Sequence, residues 1–158
     1  MNRGKEYEKV LNKTLQHAKA YINSIDSDRV CADKSLEELR EDLYKPLNID
    51  GKAPEIIINE LVHDVDGGLL GNVGGRFFAW VIGGSVPAAL AADWLTSTWD
   101  QNAALFACSP AEAVIEEVAG GWLKKILGLP NQSSFALTTG CQMAHVTCLA
   151  AARNELLK

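Results

Sequence analysis

One short segment limits what this chain can fold into. Ser133-Ser134-Phe135-Ala136-Leu137-Thr138 is the only stretch of the 158 residues that reads convincingly as a β-strand. A single strand leaves its edge N–H and C=O groups unpaired and cannot make a sheet by itself. Either it pairs across chains, or the rest of its sheet lies outside these residues. Everything else reads as helix or loop, so the expected class is mostly α.

The helices announce themselves by period and punctuation. Tyr7, Val10, Leu11, Leu15, Ala18, Ile22 and Ile25 recur at steps of three and four, which predicts an amphipathic helix over 5–25. Ser35-Leu36-Glu37-Glu38 is a capping-box pattern opening a second helix that runs to about Tyr44, where Lys45-Pro46 closes it. Pro54 suits the first turn of a third helix, with Ile57, Leu61, Val62 and Val65 as its apolar stripe and Gly67-Gly68 as its stop. A glycine-rich loop, Gly71 to Gly75, follows. A fourth helix starts near Pro87. Ser109-Pro110-Ala111-Glu112 combines N-cap, N1 proline and N3 glutamate, and opens a fifth helix reaching Leu127 before Gly128. Gly120-Gly121 inside it costs roughly 2 kcal/mol against alanine, which predicts close packing against another helix. The strand leads through Thr139-Gly140 into a last helix over 142–157.

Composition narrows the function classes. Hydrophobic residues make up 47% and charged residues 22%, a globular balance with enough length for one compact domain and a real core. The net charge is -5 with no basic cluster, which argues against nucleic acid and against an anionic membrane surface. No apolar h-region follows the N-terminus, so no secretory signal is read. The most apolar run, Phe77–Ala92, is broken by Gly83-Gly84 and Pro87 and is too short for a membrane span. It predicts buried structure or a subunit interface. Cys31, Cys108, Cys141 and Cys148 form no CxxC pair, and the expected compartment is the cytoplasm, with reduced thiols.

Few constellations carry chemistry. A strand, a glycine-containing turn and a helix N-terminus present free N–H groups and a positive dipole end, so Thr139, Gly140, Cys141 and Gln142 form a candidate anion site. Cys141, His145 and Cys148 fall at i, i+4 and i+7 on one helix face. Three ligands do not close a zinc site, and packed thiols suit the pattern better, so no metal is expected. Cys108 has no histidine near it in sequence and reads as a packed thiol. His63, Asp64 and Asp66 read as the solvated end of a helix. Trp80, Trp94, Trp99, Trp122 and Phe106 supply aromatic mass for core and interface.

Two stretches carry a family resemblance. The first runs Arg76-Phe77-Phe78-Ala79-Trp80-Val81-Ile82-Gly83-Gly84-Ser85-Val86-Pro87 and on through Asp93-Trp94-Leu95. The second is Ser109-Pro110-Ala111-Glu112 with Trp122-Leu123, Leu127-Gly128-Leu129-Pro130, Thr138-Thr139-Gly140 and Ala150-Ala151-Ala152-Arg153. In order and spacing these resemble the group II pyridoxal-phosphate-dependent decarboxylases, which include aromatic amino acid and glutamate decarboxylases. The resemblance covers about residues 54–158, and 1–53 fit the family's helical N-terminal segment.

The resemblance implies an obligate homodimer of fold type I, several times longer than this chain, acting on a small-molecule substrate, an L-amino acid, and releasing CO2. It implies a helical dimerisation segment over 1–75, a helical segment over 76–132, and the first strand and helix of the α/β large domain over 133–158. Pyridoxal 5'-phosphate would be held by its phosphate at Thr139, Gly140, Cys141 and Gln142. Trp80 and Val81, with Leu105 and Phe106 from the opposite subunit, would line the substrate side-chain pocket. The sequence departs from the family at Gln142, where a small hydroxyl residue is usual, and at His145, where asparagine is common. No His-Lys pair occurs, so the Schiff-base lysine is missing, and no catalytic residue is expected within these positions. The ending Asn154-Glu155-Leu156-Leu157-Lys158 continues helical periodicity without a cap, as a chain cut from a longer protein would. The alternatives are a non-catalytic helical dimerisation module, or another fold-type-I activity such as an aminotransferase-like reaction.

Overall fold

The computed structural model describes residues 3–47 and 49–157. Among them are six helices, α1 (Arg3–Ser24), α2 (Leu36–Leu43), α3 (Pro54–Val65), α4 (Pro87–Trp99), α5 (Pro110–Ile126) and α6 (Cys141–Leu156), and no strand. The mostly-α class holds. Residues 133–138 stay outside any ladder, because a strand is defined by its neighbour and none of the described residues supplies one. The chain divides into two units, Met1–Ser85 and Val86–Lys158.

In the first unit, α1 and α2 both pack on α3. The capping box of α2 forms in full: Glu38 N–H donates to Ser35 Oγ at 3.2 Å, and Ser35 N–H donates to the Glu38 carboxylate at 2.7 Å. That bond from the Ser35 amide holds the Glu38 carboxyl below its ordinary range. The loop after α3 clasps the end of α1. Gly67, in the left-handed region at φ 85, turns its carbonyl to the N–H groups of Asp33 and Lys34 at 2.9 and 3.2 Å. Gly71 N–H donates to Arg29 O at 2.8 Å, Tyr21 Oη–H donates to Leu70 O at 3.1 Å, and the Arg76 guanidinium donates to Asp28 O. A Cβ at Gly74 would stand 2.9 Å from Ile25 O. Gly71 and Gly74 serve close backbone approach.

The face that α1 covers overlaps its apolar stripe at Val10, Ala18 and Ile25 but is rotated from it. Val10, Thr14, His17, Tyr21 and Ser24 are half-buried, while Leu11, Leu15 and Ile22 are exposed. The stripe of α3 likewise leaves Ile57 and Leu61 open, and the residue it buries is Asp64.

In the second unit α4, α5 and α6 do not pack on one another. What packing exists is local. Gly128, at φ 65, ends α5 in a Schellman arrangement, with Leu129 N–H donating to Lys124 O at 2.9 Å and Gly128 N–H to Lys125 O at 3.3 Å. Lys124 Nζ donates back to the carbonyls of Asn131 and Ser133. Gly120 is buried because the Phe135 ring lies on it; a Cβ there would meet the ring at 2.1 Å, whereas at Gly121 it would meet nothing. The close packing expected of this pair is thus real at one glycine, and its partner is an aromatic ring rather than a helix. Ser109 caps α5 without a side-chain bond, and its N–H donates to Leu105 O at 3.1 Å. The reciprocal half of the expected box is closed off, and Glu112 Oε2 is left enclosed with no partner.

The expected core does not form. Among the described residues no apolar side chain is buried. The accessible surface is 13318 Å², whereas two separate compact units of these sizes would together expose roughly 9,300 Å². Phe77–Ala92 lies open from Phe78 to Ala89 instead of in buried structure.

Candidate functional site

The start of α6 is built from its backbone. Gly140 takes φ 94 and ψ 167 as N-cap, a conformation that favours glycine. No side chain caps the helix, so the N–H groups of its first turn, Cys141, Gln142 and Met143, have no intrahelical acceptor. Gly140's own N–H donates to Thr138 O at 2.9 Å, and Thr138 Oγ1 is 3.4 Å from Gly140 O. The N–H groups without an intrahelical acceptor at this turn are those of Cys141, Gln142 and Met143, and Gly140 contributes shape. A Cβ at Gly140 would meet nothing within 4 Å, so the approach to the turn is open. Gln142 projects no compact hydroxyl, but its N–H is available. The turn fits a phosphate held through backbone donors.

His145 Nε2 lies 3.6 Å from Cys141 Sγ. Among the described residues no group of three or more His, Cys, Asp or Glu side chains gathers as metal ligands would. Cys31, Cys108, Cys141 and Cys148 are all exposed free thiols, so Cys108 is not the packed thiol its sequence setting suggested. The four expected pocket residues, Trp80, Val81, Leu105 and Phe106, are exposed. Trp80 is 83% exposed and sits in the left-handed region at φ 59, a costly conformation for an aromatic residue. Trp80–Val81 and Leu105–Phe106 fall in different units, and neither pair lines the cleft that opens in the first unit.

That cleft lies between α1, the connection from α1 to α2, α3 and the loop after it, with a volume of about 760 Å³. His17, Tyr21, Ser24, Asp28, Arg29, Lys34, His63 and Asp66 are among its walls. No motif marks it in the sequence, because its residues come from three separate segments.

Beside it is an ionic cluster that the sequence placed in solvent. Asp64 is only 8% exposed, and it accepts from Lys45 Nζ and faces His63 Nδ1 at 3.4 Å. The Lys45 ammonium holds the Asp64 carboxyl below its ordinary range, and Asp64 in turn raises Lys45. The solvated helix end holds for the exposed Asp66 but not for Asp64, which closes the contact between α3 and the segment after α2. A partner 19 residues away gives no local sequence signal.

Compared with models of known protein families, the chain matches none. Among the described residues no helix is long and apolar enough to cross a membrane.

Proposed function

We propose that this chain supplies the N-terminal part of a cytoplasmic, homodimeric pyridoxal-phosphate-dependent decarboxylase acting on an amino acid. The observation that carries the reading is the start of α6, where Gly140 at φ 94 opens a helix whose first donors face open space. An extended segment, a glycine and a helix N-terminus form the element that the family resemblance assigns to phosphate. Bound there, pyridoxal phosphate would supply the electron-accepting ring that lets an α-carboxylate leave as CO2. The N–H groups of Cys141, Gln142 and Met143 hold the phosphate, and Gly140 sets the turn beside Thr139. Trp80 and Val81 form one wall of the substrate pocket, against Leu105 and Phe106 of the partner subunit. The open surface supports an assembly: total accessible surface exceeds that of two compact units by about 4,000 Å², and Trp80, Val81, Leu105 and Phe106 are among the exposed apolar side chains.

Cofactor titration of the parent enzyme by fluorescence quenching tests the turn. Gly140→Val should weaken affinity at least about tenfold, roughly 1.4 kcal/mol, because a β-branched residue does not tolerate this backbone. Cys141→Ser should change it little. Unchanged affinity in Gly140→Val, with the fold confirmed by circular dichroism, removes the turn from the site. The 158-residue chain itself, lacking the His-Lys context, should give no stoichiometric borohydride-trapped adduct on one specific lysine.

A second reading, a non-catalytic helical dimerisation module, is favoured by the exposed stripe Leu11, Leu15 and Ile22 of α1. It predicts self-association in light-scattering chromatography with no dependence of cofactor affinity on Gly140.

A further inference from the structure

The geometry points to a binding site for a free apolar α-amino acid in the cleft of the first unit. The site does not rest on the decarboxylase reading, since it uses neither α6 nor the exposed segment around Trp80. Its volume, about 760 Å³, lies within the range of roughly 300–1,000 Å³ typical of small-molecule sites. Its walls carry both signs of charge and a patch of apolar surface, which is the pattern a zwitterion with an apolar side chain would match.

The charged groups retain unused capacity. Arg29 Nε is occupied by Asp33 at 2.5 Å, but its Nη1 stands 3.7 Å from Asp66 Oδ1. That is an ion pair beyond hydrogen-bond length. Asp66 is 78% exposed. Asp28 takes the Ser24 hydroxyl on Oδ2 at 2.8 Å, which leaves its other oxygen. Lys34 is held by Asp42 at 2.7 Å and is the less available cation. A ligand carboxylate accepts from the Arg29 guanidinium edge, whose planar donors suit it. A ligand ammonium donates to Asp66 and Asp28. Tyr21, Val62 and Leu69 then receive the side chain. A zwitterion engages both the Arg29 edge and the carboxylates, whereas a ligand with one charge engages one of them.

The site is also held in shape before any ligand arrives. Arg29 O accepts from Gly71 N–H, Asp28 O accepts from Arg76, and Tyr21 Oη is fixed on Leu70 O. Arg29 and Asp28 are thus tied by their backbones to the loop after α3, and little ordering of either is required on binding.

The test is equilibrium dialysis of the 158-residue chain against radiolabelled L-leucine. Saturable binding of one leucine per chain is expected. Leucinamide, which lacks the carboxylate, and 4-methylpentanoate, which lacks the ammonium, should each compete at least about tenfold more weakly. Arg29→Gln and Asp66→Asn should each weaken leucine at least about tenfold with an unchanged circular dichroism spectrum. If Arg29→Gln loses its fold, Asp66→Asn, at an exposed side chain, carries the test. No saturable uptake at roughly millimolar leucine, equal affinity for a singly charged analogue, or undiminished affinity in a folded Asp66→Asn chain overturns the site.

Discussion

The two units are both helical, yet they are held by different means. In the first, fasteners span long separations: Lys45 reaches Asp64, Tyr21 reaches Leu70, and Arg76 reaches Asp28. Nearly all are polar, and they close α1 and α2 onto α3. In the second, Phe135 on Gly120 and Lys124 on Asn131 and Ser133 are contacts within one turn-and-return of chain. Helix content and core formation are separate achievements. A helix acquires most of its stability from tertiary packing of one face, and α6 has no distinct face to offer. Cys141, Met143, Val146, Leu149 and Leu156 surround it, so it is suited to cover on several sides at once.

The largest expected difference is in amide exchange. Backbone amides of α4, α5 and α6 should exchange at least about a hundredfold faster than those of α1 and α3, because local opening there breaks no contact between helices. Hydrogen-exchange mass spectrometry of the 158-residue chain measures this. Equal protection across all six helices would break the comparison and reveal packing in the second unit.

The next effect sharpens the role of polar fasteners. Asp64 has its pKa lowered by Lys45, so its contribution is present above the ordinary carboxylate value of about 3.9. It is lost as pH falls through the lower folded value. Lys45 has its pKa raised, so its contribution is present below about 10.4 and is lost as pH rises through the higher folded value. Protection of α3 should therefore be flat between these limits and fall on both sides. Asp64→Asn should remove the acid limb and lower protection of α3 at neutral pH. An unchanged acid limb in the variant would assign it to another carboxylate.

What the sequence made legible follows the range of the interaction. Pro54, Pro87 and Pro110 begin their helices as expected, Ser35 and Glu38 form their box, and Gly128 ends α5, since each depends on neighbours within four residues. The failures are the long-range ones. The apolar stripe of α1 gave the helix but not the face it covers, because His17 meets Asn59 at 2.8 Å across 42 positions. At Ser109 the reciprocal half of the box is closed off because Leu105 O takes the N–H that Glu112 would accept. Asp64 was assigned to solvent because Lys45 lies outside its helix. The segment 133–138 has strand-like composition, but pairing is a property of a partner that periodicity within one segment does not encode. Of the candidate site, the glycine at 140 and the helix start after it were legible; the loss of Gly140's own N–H to Thr138 O was not.

The smallest effects separate two adjacent glycines that the sequence treats alike. Both lie in α5, where alanine is favoured over glycine by about 1 kcal/mol. At Gly121 an added Cβ meets nothing within 4 Å, so Gly121→Ala should gain about that much helix stability. At Gly120 the same methyl would stand 2.1 Å from the Phe135 ring. The ring would have to leave, and overpacking of this kind costs about 1–3 kcal/mol, which cancels or exceeds the propensity gain. Gly120→Ala should therefore leave α5 no more stable and should expose Phe135 further. Exchange rates within α5 and the fluorescence of Trp122 read both variants. If Gly120→Ala also slows exchange, the ring does not hold its place on the helix, and the second unit lacks even this local fastener. Phe135→Ala then supplies the complementary measurement: with the ring gone, Gly120→Ala should stabilise α5 as much as Gly121→Ala does, because both positions would differ only in propensity.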